Sequence, residues 1–186
     1  MLFLVYFLLV VGVMSQKLLY EPNAPDYKTQ RMAQSLFDKL APDPSLSTFM
    51  DVLTQVDDIF RLVNHSSSDH APHDGPAVIT MFVPTNAAFR YGRQQGSSPM
   101  PFMSGHPSDW EAFLKYHIVP YAIETVAKDQ QVSTLLGKDE KIDIHYHAWS
   151  RRVDLNHGTA NVIDHRHPVR AINGVAFKID RLLKQP

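Results

Sequence analysis

The chain contains no cysteine, which excludes a disulfide framework, a thiolate metal site and a cysteine nucleophile. It has no excess of either charge: 18 Lys and Arg stand against 19 Asp and Glu, for a formal net charge of −1 over 186 residues. That balance supplies no global attraction to nucleic acid or to an anionic membrane. Serine-rich stretches such as "GSSP" and "SLST" lack the glycine pattern of a nucleophile elbow. There is no internal repeat. Long apolar runs are missing as well, apart from Leu2 to Val13 at the amino terminus.

What is present is ordinary globular composition, 44% hydrophobic and 20% charged. The length suits one domain with a core of its own, held by packing and backbone hydrogen bonds. The run in "MLFLVYFLLVVGVMSQ" is short for a membrane span of roughly 20 residues and fits a signal-peptide core. Val13 and Ser15 suit the positions before a cleavage between Ser15 and Gln16. A retained anchor is the alternative, and the segment has no Lys or Arg to set its orientation. We therefore read residues 1–15 as signal peptide, 16–44 as an arm and helix, and 45–186 as the main domain. The chain stops close to its last expected strand, so a lipid-anchor signal is not expected.

Two amphipathic helices are expected early. "RMAQSLFDKL" spaces Met32, Leu36 and Leu40 by four, and "SLSTFMDVLTQVDDIFRLV" carries an apolar stripe that Ser47 or Thr48 could cap. "NHSSSDHAPHDGP" reads as a loop and opens with the N-x-[ST] pattern Asn64-His65-Ser66, a candidate glycosylation site. In "VITMFVPTNAAFR" a strand meets Pro84, which cannot donate to a ladder. Thr85 can then cap a helix that begins at Asn86 and folds Phe89 back against the strand. "WEAFLKYHIVP" is a short helix running into an extended piece. Later, "KIDIHYHAW", "RRVDLN", "TANVIDHRHPVRAI" and "VAFKIDRLL" alternate like strands, with Asn173-Gly174 as a turn signal. Helices first and paired strands later indicate α+β.

"MFVPTNAAF" resembles the first signature of the fasciclin domain, an extracellular adhesion module. "LKYHIVP" resembles the family's Tyr-His motif at Tyr116-His117, "STLLG" the short segment that comes after it, and "AINGVAFKIDRLL" the second signature. The four stand in the family's order between about Leu46 and Pro186. The resemblance implies a wedge-shaped β-sandwich flanked by N-terminal and inserted helices, with the two signatures as neighbouring strands. It gives structural weight to Phe82, Pro84, Thr85, Asn86, Phe89, Tyr116, His117, Asn173, Gly174 and Asp180. It implies adhesion to matrix, receptors such as integrins, or polysaccharide-rich surfaces. Pro168-Val169 stands where integrin ligands of the family often carry an acidic residue and isoleucine, so integrin recognition by that route is not expected.

Residue chemistry adds two rival classes. His117 beside apolar residues suits a backbone-bonded structural role better than catalysis. The pairs Asp57-Asp58 and Asp139-Glu140 lie in polar stretches, and a glycosidase would need two carboxyls about 5–9 Å apart across a cleft. "HYH" and "HRH" each place two imidazoles on one face of a strand, so His145, His147, His165 and His167 are candidate ligands for Zn or Cu. A second cluster is His65, His70 and His73.

The leading expectation is a secreted, non-catalytic binding or adhesion module with no cofactor. Its expected partners are an extracellular protein or polysaccharide, or a second copy of itself, with no nucleic acid and no membrane after signal removal. A histidine metal-binding protein and an extracellular hydrolase are the alternatives. N-terminal sequencing of secreted material should begin near Gln16, and a glycosylating host should add glycan mass at Asn64. Intact amino terminus in the membrane fraction would refute the first, and an unshifted mass the second.

Overall fold

The computed structural model describes residues 34–65, 78–94, 107–123 and 125–183. The expected signal segment and arm, and the histidines at 70 and 73, lie outside them. Helix α1 (Leu36–Leu40) begins later than the apolar spacing from Met32 suggests, because Ser35 and Asp38 form a reciprocal cap. Ser35 Oγ accepts from the Asp38 amide at 3.1 Å while Asp38 Oδ2 accepts from the Ser35 amide at 3.1 Å. A 3₁₀ turn over Pro44–Leu46 comes next, with Asp43 as its cap.

The long apolar stripe predicted as one helix is two: α2 (Ser47–Leu53) and α3 (Asp57–Asn64). Neither Ser47 nor Thr48 caps α2. The Thr48 amide donates instead to Oδ1 of Asn86 at 3.0 Å, and Asn86 Nδ2 donates to the Pro44 carbonyl and the Ser47 hydroxyl. The side chain that starts one helix thus caps another from outside, which local spacing could not reveal.

Strand β1 (Ile79–Pro84) then runs into helix α4 (Asn86–Gln94) at the expected corner. Thr85 Oγ1 accepts from the Ala88 amide at 3.4 Å, and Phe89 is buried. Helix α5 (Pro107–Tyr116) leads into the short strand β2 (Ile118–Val119). The remaining strands are β3 (Gln130–Thr134), β4 (Gly137–His147), β5 (Arg152–Leu155), β6 (Ala160–Asn161), β7 (Val169–Ala171) and β8 (Gly174–Ile179). "STLLG" forms the end of β3 and its turn into β4. "TANVIDHRHPVRAI" is mostly loop, with strands only at its two ends.

The strands make two four-stranded sheets, in the orders β2-β1-β8-β7 and β3-β4-β5-β6. This is the α+β sandwich flanked by helices. The two signature strands lie side by side in one sheet, β1 parallel to β8, with Phe82 opposite Phe177 and their rings stacked at 6.0 Å. Val78, the first residue of "VITMFVPTNAAFR", stands outside the strand and is exposed.

Period-two alternation divides the core into two layers. Ile79, Met81 and Val83 face the helices, among Leu36, Phe49 and Leu53. Phe82, Val175, Phe177 and Ile179 face the second sheet, against Ile142, Ile144, Val153 and Leu155. Both faces of the first sheet are therefore covered, which is why β1 reads as an unbroken apolar run. Among the described residues the second sheet is covered on one face only, and its other face carries the polar residues of the alternation.

Asn173 ties these layers together. It is fully buried; its Oδ1 accepts from the Leu36 amide at 2.8 Å, and its Nδ2 donates to the carbonyls of Leu62 and Val63 at 3.2 and 2.8 Å. Its own carbonyl accepts from the Ile79 amide at 3.0 Å. Next to it, Gly174 passes so close to β1 that an added Cβ would lie 2.2 Å from the Ile79 carbonyl oxygen. Gly174→Ala should therefore cost about 1–3 kcal/mol or more, and Phe177→Ala, which empties the space between the sheets, about 3–5 kcal/mol. Chemical denaturation checks both, and a change near zero in either would refute this account of the core.

Candidate functional site

Tyr116 and His117 end α5 inside the core rather than at a surface. The His117 ring is fully buried, its Nδ1 donating to the Phe113 carbonyl at 2.8 Å and its Nε2 accepting from the Leu183 amide at 3.2 Å. A carbonyl can only accept and an amide N–H can only donate, so these partners fix the neutral tautomer with hydrogen on Nδ1. Burial pushes the imidazole down to about 4 from its ordinary 6.5. With both nitrogens occupied, His117 has no ring position left for a substrate. It locks the end of α5 to the chain beyond β8.

Tyr116 Oη donates to the Lys141 carbonyl at 3.2 Å and accepts from Asn156 Nδ2 at 3.0 Å, joining α5 to the second sheet. Desolvation raises its pKa. Asp180 accepts from the Asn161 amide at 2.7 Å and from its side-chain nitrogen at 2.9 Å, tying the end of β8 to β6. Asn64 closes α3 and is exposed, with its Oδ1 accepting from Ser35 Oγ at 3.2 Å.

A cluster of polar groups lies on the outer face of the second sheet. Antiparallel register sets His145 opposite Asp154 and His147 opposite Arg152. Ile142 and Ile144 must face the core, so the pleat turns Asp143, His145 and His147 outward. His147 Nε2 pairs with the Asp154 carboxylate, which is itself largely buried. The turn from β5 to β6 holds three successive residues, Asn156, His157 and Gly158, at positive φ. It brings the His157 ring to 5.1 Å from that of His145 and its Nε2 to 3.4 Å from Asp143. Gln131 Nε2 donates to the other Asp143 oxygen at 2.7 Å. His145, His147, Asp154 and His157, with Asp129, Arg152 and Asn161, line an open depression of about 650 Å³.

The four histidines considered as metal ligands are not brought together. His165 and His167 sit in the loop before β7 rather than on a strand, and β5, with β6 beyond it, takes the place beside β4 that a histidine-bearing strand would need. Each ring has another neighbour: His147 pairs with Asp154, His167 Nδ1 donates to Asp164 at 2.9 Å, His145 packs on His157, and His165 stands edge-on to Tyr146 at 5.9 Å. The hydrogen bond from His167 also lowers the Asp164 pKa. Among the described residues no three His, Asp or Glu are placed to hold a metal ion. The sequence alternation correctly turned His145 and His147 outward. It could not supply Asp154, Arg152 and His157, which depend on the hairpin register and on the β5–β6 turn.

The fold and this face define an α+β sandwich flanked by helices, with a sealed core and a polar outer face. The fasciclin domain model matches residues 44–186. The chain belongs to the fasciclin domain family. It is similar to the structure of a FAS1 domain pair from the insect cell adhesion molecule Fasciclin I, with a TM-score of 0.59 and 17% identity, covering 81% of this chain and 51% of that chain. The chain thus spans about half the length of that domain pair. A comparison with curated proteins found no match.

The His117 geometry makes an acid-sensitivity prediction. Between about pH 6.5 and 4 the unfolded chain takes up a proton on this histidine that the folded protein refuses. Stability falls as pH drops through that window, by about 3 kcal/mol in total for a shift of this size. In denaturation across the window, His117→Gln should be less stable than wild type at neutral pH yet show a flatter pH dependence. Equal slopes for the two proteins would contradict the assignment.

Proposed function

We propose that this protein is a secreted, non-catalytic adhesion or binding module that engages extracellular matrix, cell wall or cell surface. The observation that carries the reading is the division of labour within the fold. The family's own motif residues, from Phe82 and Thr85 to His117 and Asn173, are spent on buried contacts. Recognition is left to the exposed outer face of the second sheet. Fasciclin domains serve adhesion, and the matched solved structure comes from a cell adhesion molecule. Among the described residues no helix is long and apolar enough to cross a membrane. With an apolar leader at residues 2–13, that supports export and attachment through a partner.

The hydrolase reading finds less support. His147 and Asp154 form a pair that could orient a general base, and Ser150 lines the same depression. No hydrogen bond joins Ser150 to His147, so the pair lacks the activated nucleophile such a mechanism requires. Secreted protein immobilised through its carboxyl terminus should retain components of an extracellular matrix or cell-wall extract under conditions where a heat-denatured control does not. Equal retention by both, or turnover of ester or glycoside substrates that is lost in His147→Ala, would overturn the proposal.

A further inference from the structure

The turn between β4 and β5 holds a side chain that the fold does not use. Trp149 is fully exposed, whereas Trp110, the only other tryptophan, is partly buried against the helical layer of the core. The residues around Trp149 line the depression: His147 and Arg152 are the two feet of its turn, and Ser150 lies between them. The turn that carries this exposed indole thus borders a polar hollow, and an aromatic ring beside hydrogen-bonding groups can stack on a ligand that occupies them.

The chemistry of the hollow selects the class of ligand. Its lining mixes carboxylates, imidazoles, a guanidinium, an amide and a hydroxyl, so donors and acceptors alternate over a small area. One arginine, Arg152, shares the lining with two aspartates, Asp129 and Asp154. A sulfated chain or an anionic lipid surface would meet repulsion there. One further group lacks a partner: Nε2 of His145 is buried and makes no hydrogen bond within the protein. At about 650 Å³ the hollow is within the roughly 300–1,000 Å³ of small-ligand sites.

We infer that the outer face of the second sheet, with Trp149 on the turn beside it, is a binding site for a neutral polysaccharide. The indole would lie on the apolar face of one sugar ring, while the hydroxyls of the next exchange hydrogen bonds with Asp154, His147 and Arg152. The inference rests on the binding-module reading and assigns it a place and a ligand class.

The test titrates the intact secreted protein at about pH 7.5, where unperturbed histidine is mostly neutral, with cellohexaose, xylohexaose, mannohexaose and laminarihexaose. Tryptophan fluorescence and calorimetry are read together. At least one hexasaccharide should give a saturable change in both. Trp149→Ala should weaken binding about tenfold or more, as removal of an aromatic anchor does, and should melt at the wild-type temperature. His147→Ala, which keeps the indole, should also weaken binding. Saturation with none of the hexasaccharides, or equal affinity in Trp149→Ala, overturns the inference. So does binding only to heparin or to phosphatidylserine vesicles, each measured in parallel. If Trp149→Ala is retained by the matrix extract as well as wild type, the binding module stands and this site falls. If wild type is not retained at all, the broader reading falls first.

Discussion

One buried amide holds the architecture together. Asn173 sits where three elements meet, and its side chain satisfies an amide of α1 and two carbonyls at the end of α3 while its carbonyl receives the first amide of β1. Helix ends carry backbone groups that no residue of the helix can pair, and burying them unpaired costs about 1–3 kcal/mol each. A side chain with one acceptor and two donors, placed at the meeting point, removes that cost for both helices at once. The next residue must then be glycine, because β8 passes against the β1 carbonyl with no room for a Cβ. The parallel pairing of β1 and β8, and with it the join between helices and sheets, depends on this dipeptide.

The layering that results explains where chemistry is available. The first sheet is buried on both faces, so its side chains are committed to packing, including the stacked Phe82 and Phe177. Asp43, its pKa lowered to about 2 chiefly by the hydrogen bond from Lys178, ties the 3₁₀ turn to β8 at the edge of the same layer. Among the described residues only the second sheet has a free face, and the alternation that buries Ile142 and Ile144 turns Asp143, His145 and His147 outward. The residues that make the fold and the residues available to a partner are thus separated by a sheet's thickness. Such a separation lets the outer face change without disturbing the core.

Much of this is legible in the sequence, for reasons that can be named. The strand-to-helix corner at Pro84 and Thr85 rests on local rules, a missing donor and a capping hydroxyl, and the structure keeps it. The alternation in "KIDIHYH" rests on the pleat and places both histidines outward. Where sequence reasoning fails, the deciding partner is distant along the chain. Helix α2 is capped by Asn86, 38 residues beyond Thr48. The stripe that looks like one helix breaks after Leu53. "HRH" alternates as a strand does, yet it lies in a loop where Asp164 accepts from the amides of Arg166 and His167.

By itself the sequence determined the features that composition, period and local stereochemistry control. It ruled out cysteine chemistry, set helices before paired strands, marked the corner and the Asn-Gly turn, and carried the family's motifs in order. The tertiary structure alone decided the features that depend on register and on contacts across more than a hundred residues. It fixed how the two signatures pair, parallel and with Phe82 opposite Phe177, and it turned Asn173 from a turn residue into the join between α1, α3 and β1. It also paired His147 with Asp154 while keeping His165 and His167 out of reach. Hydrogen-bond register between strands is set by the whole core, because a slip of one residue would turn every buried side chain to the wrong face. No single segment carries that information.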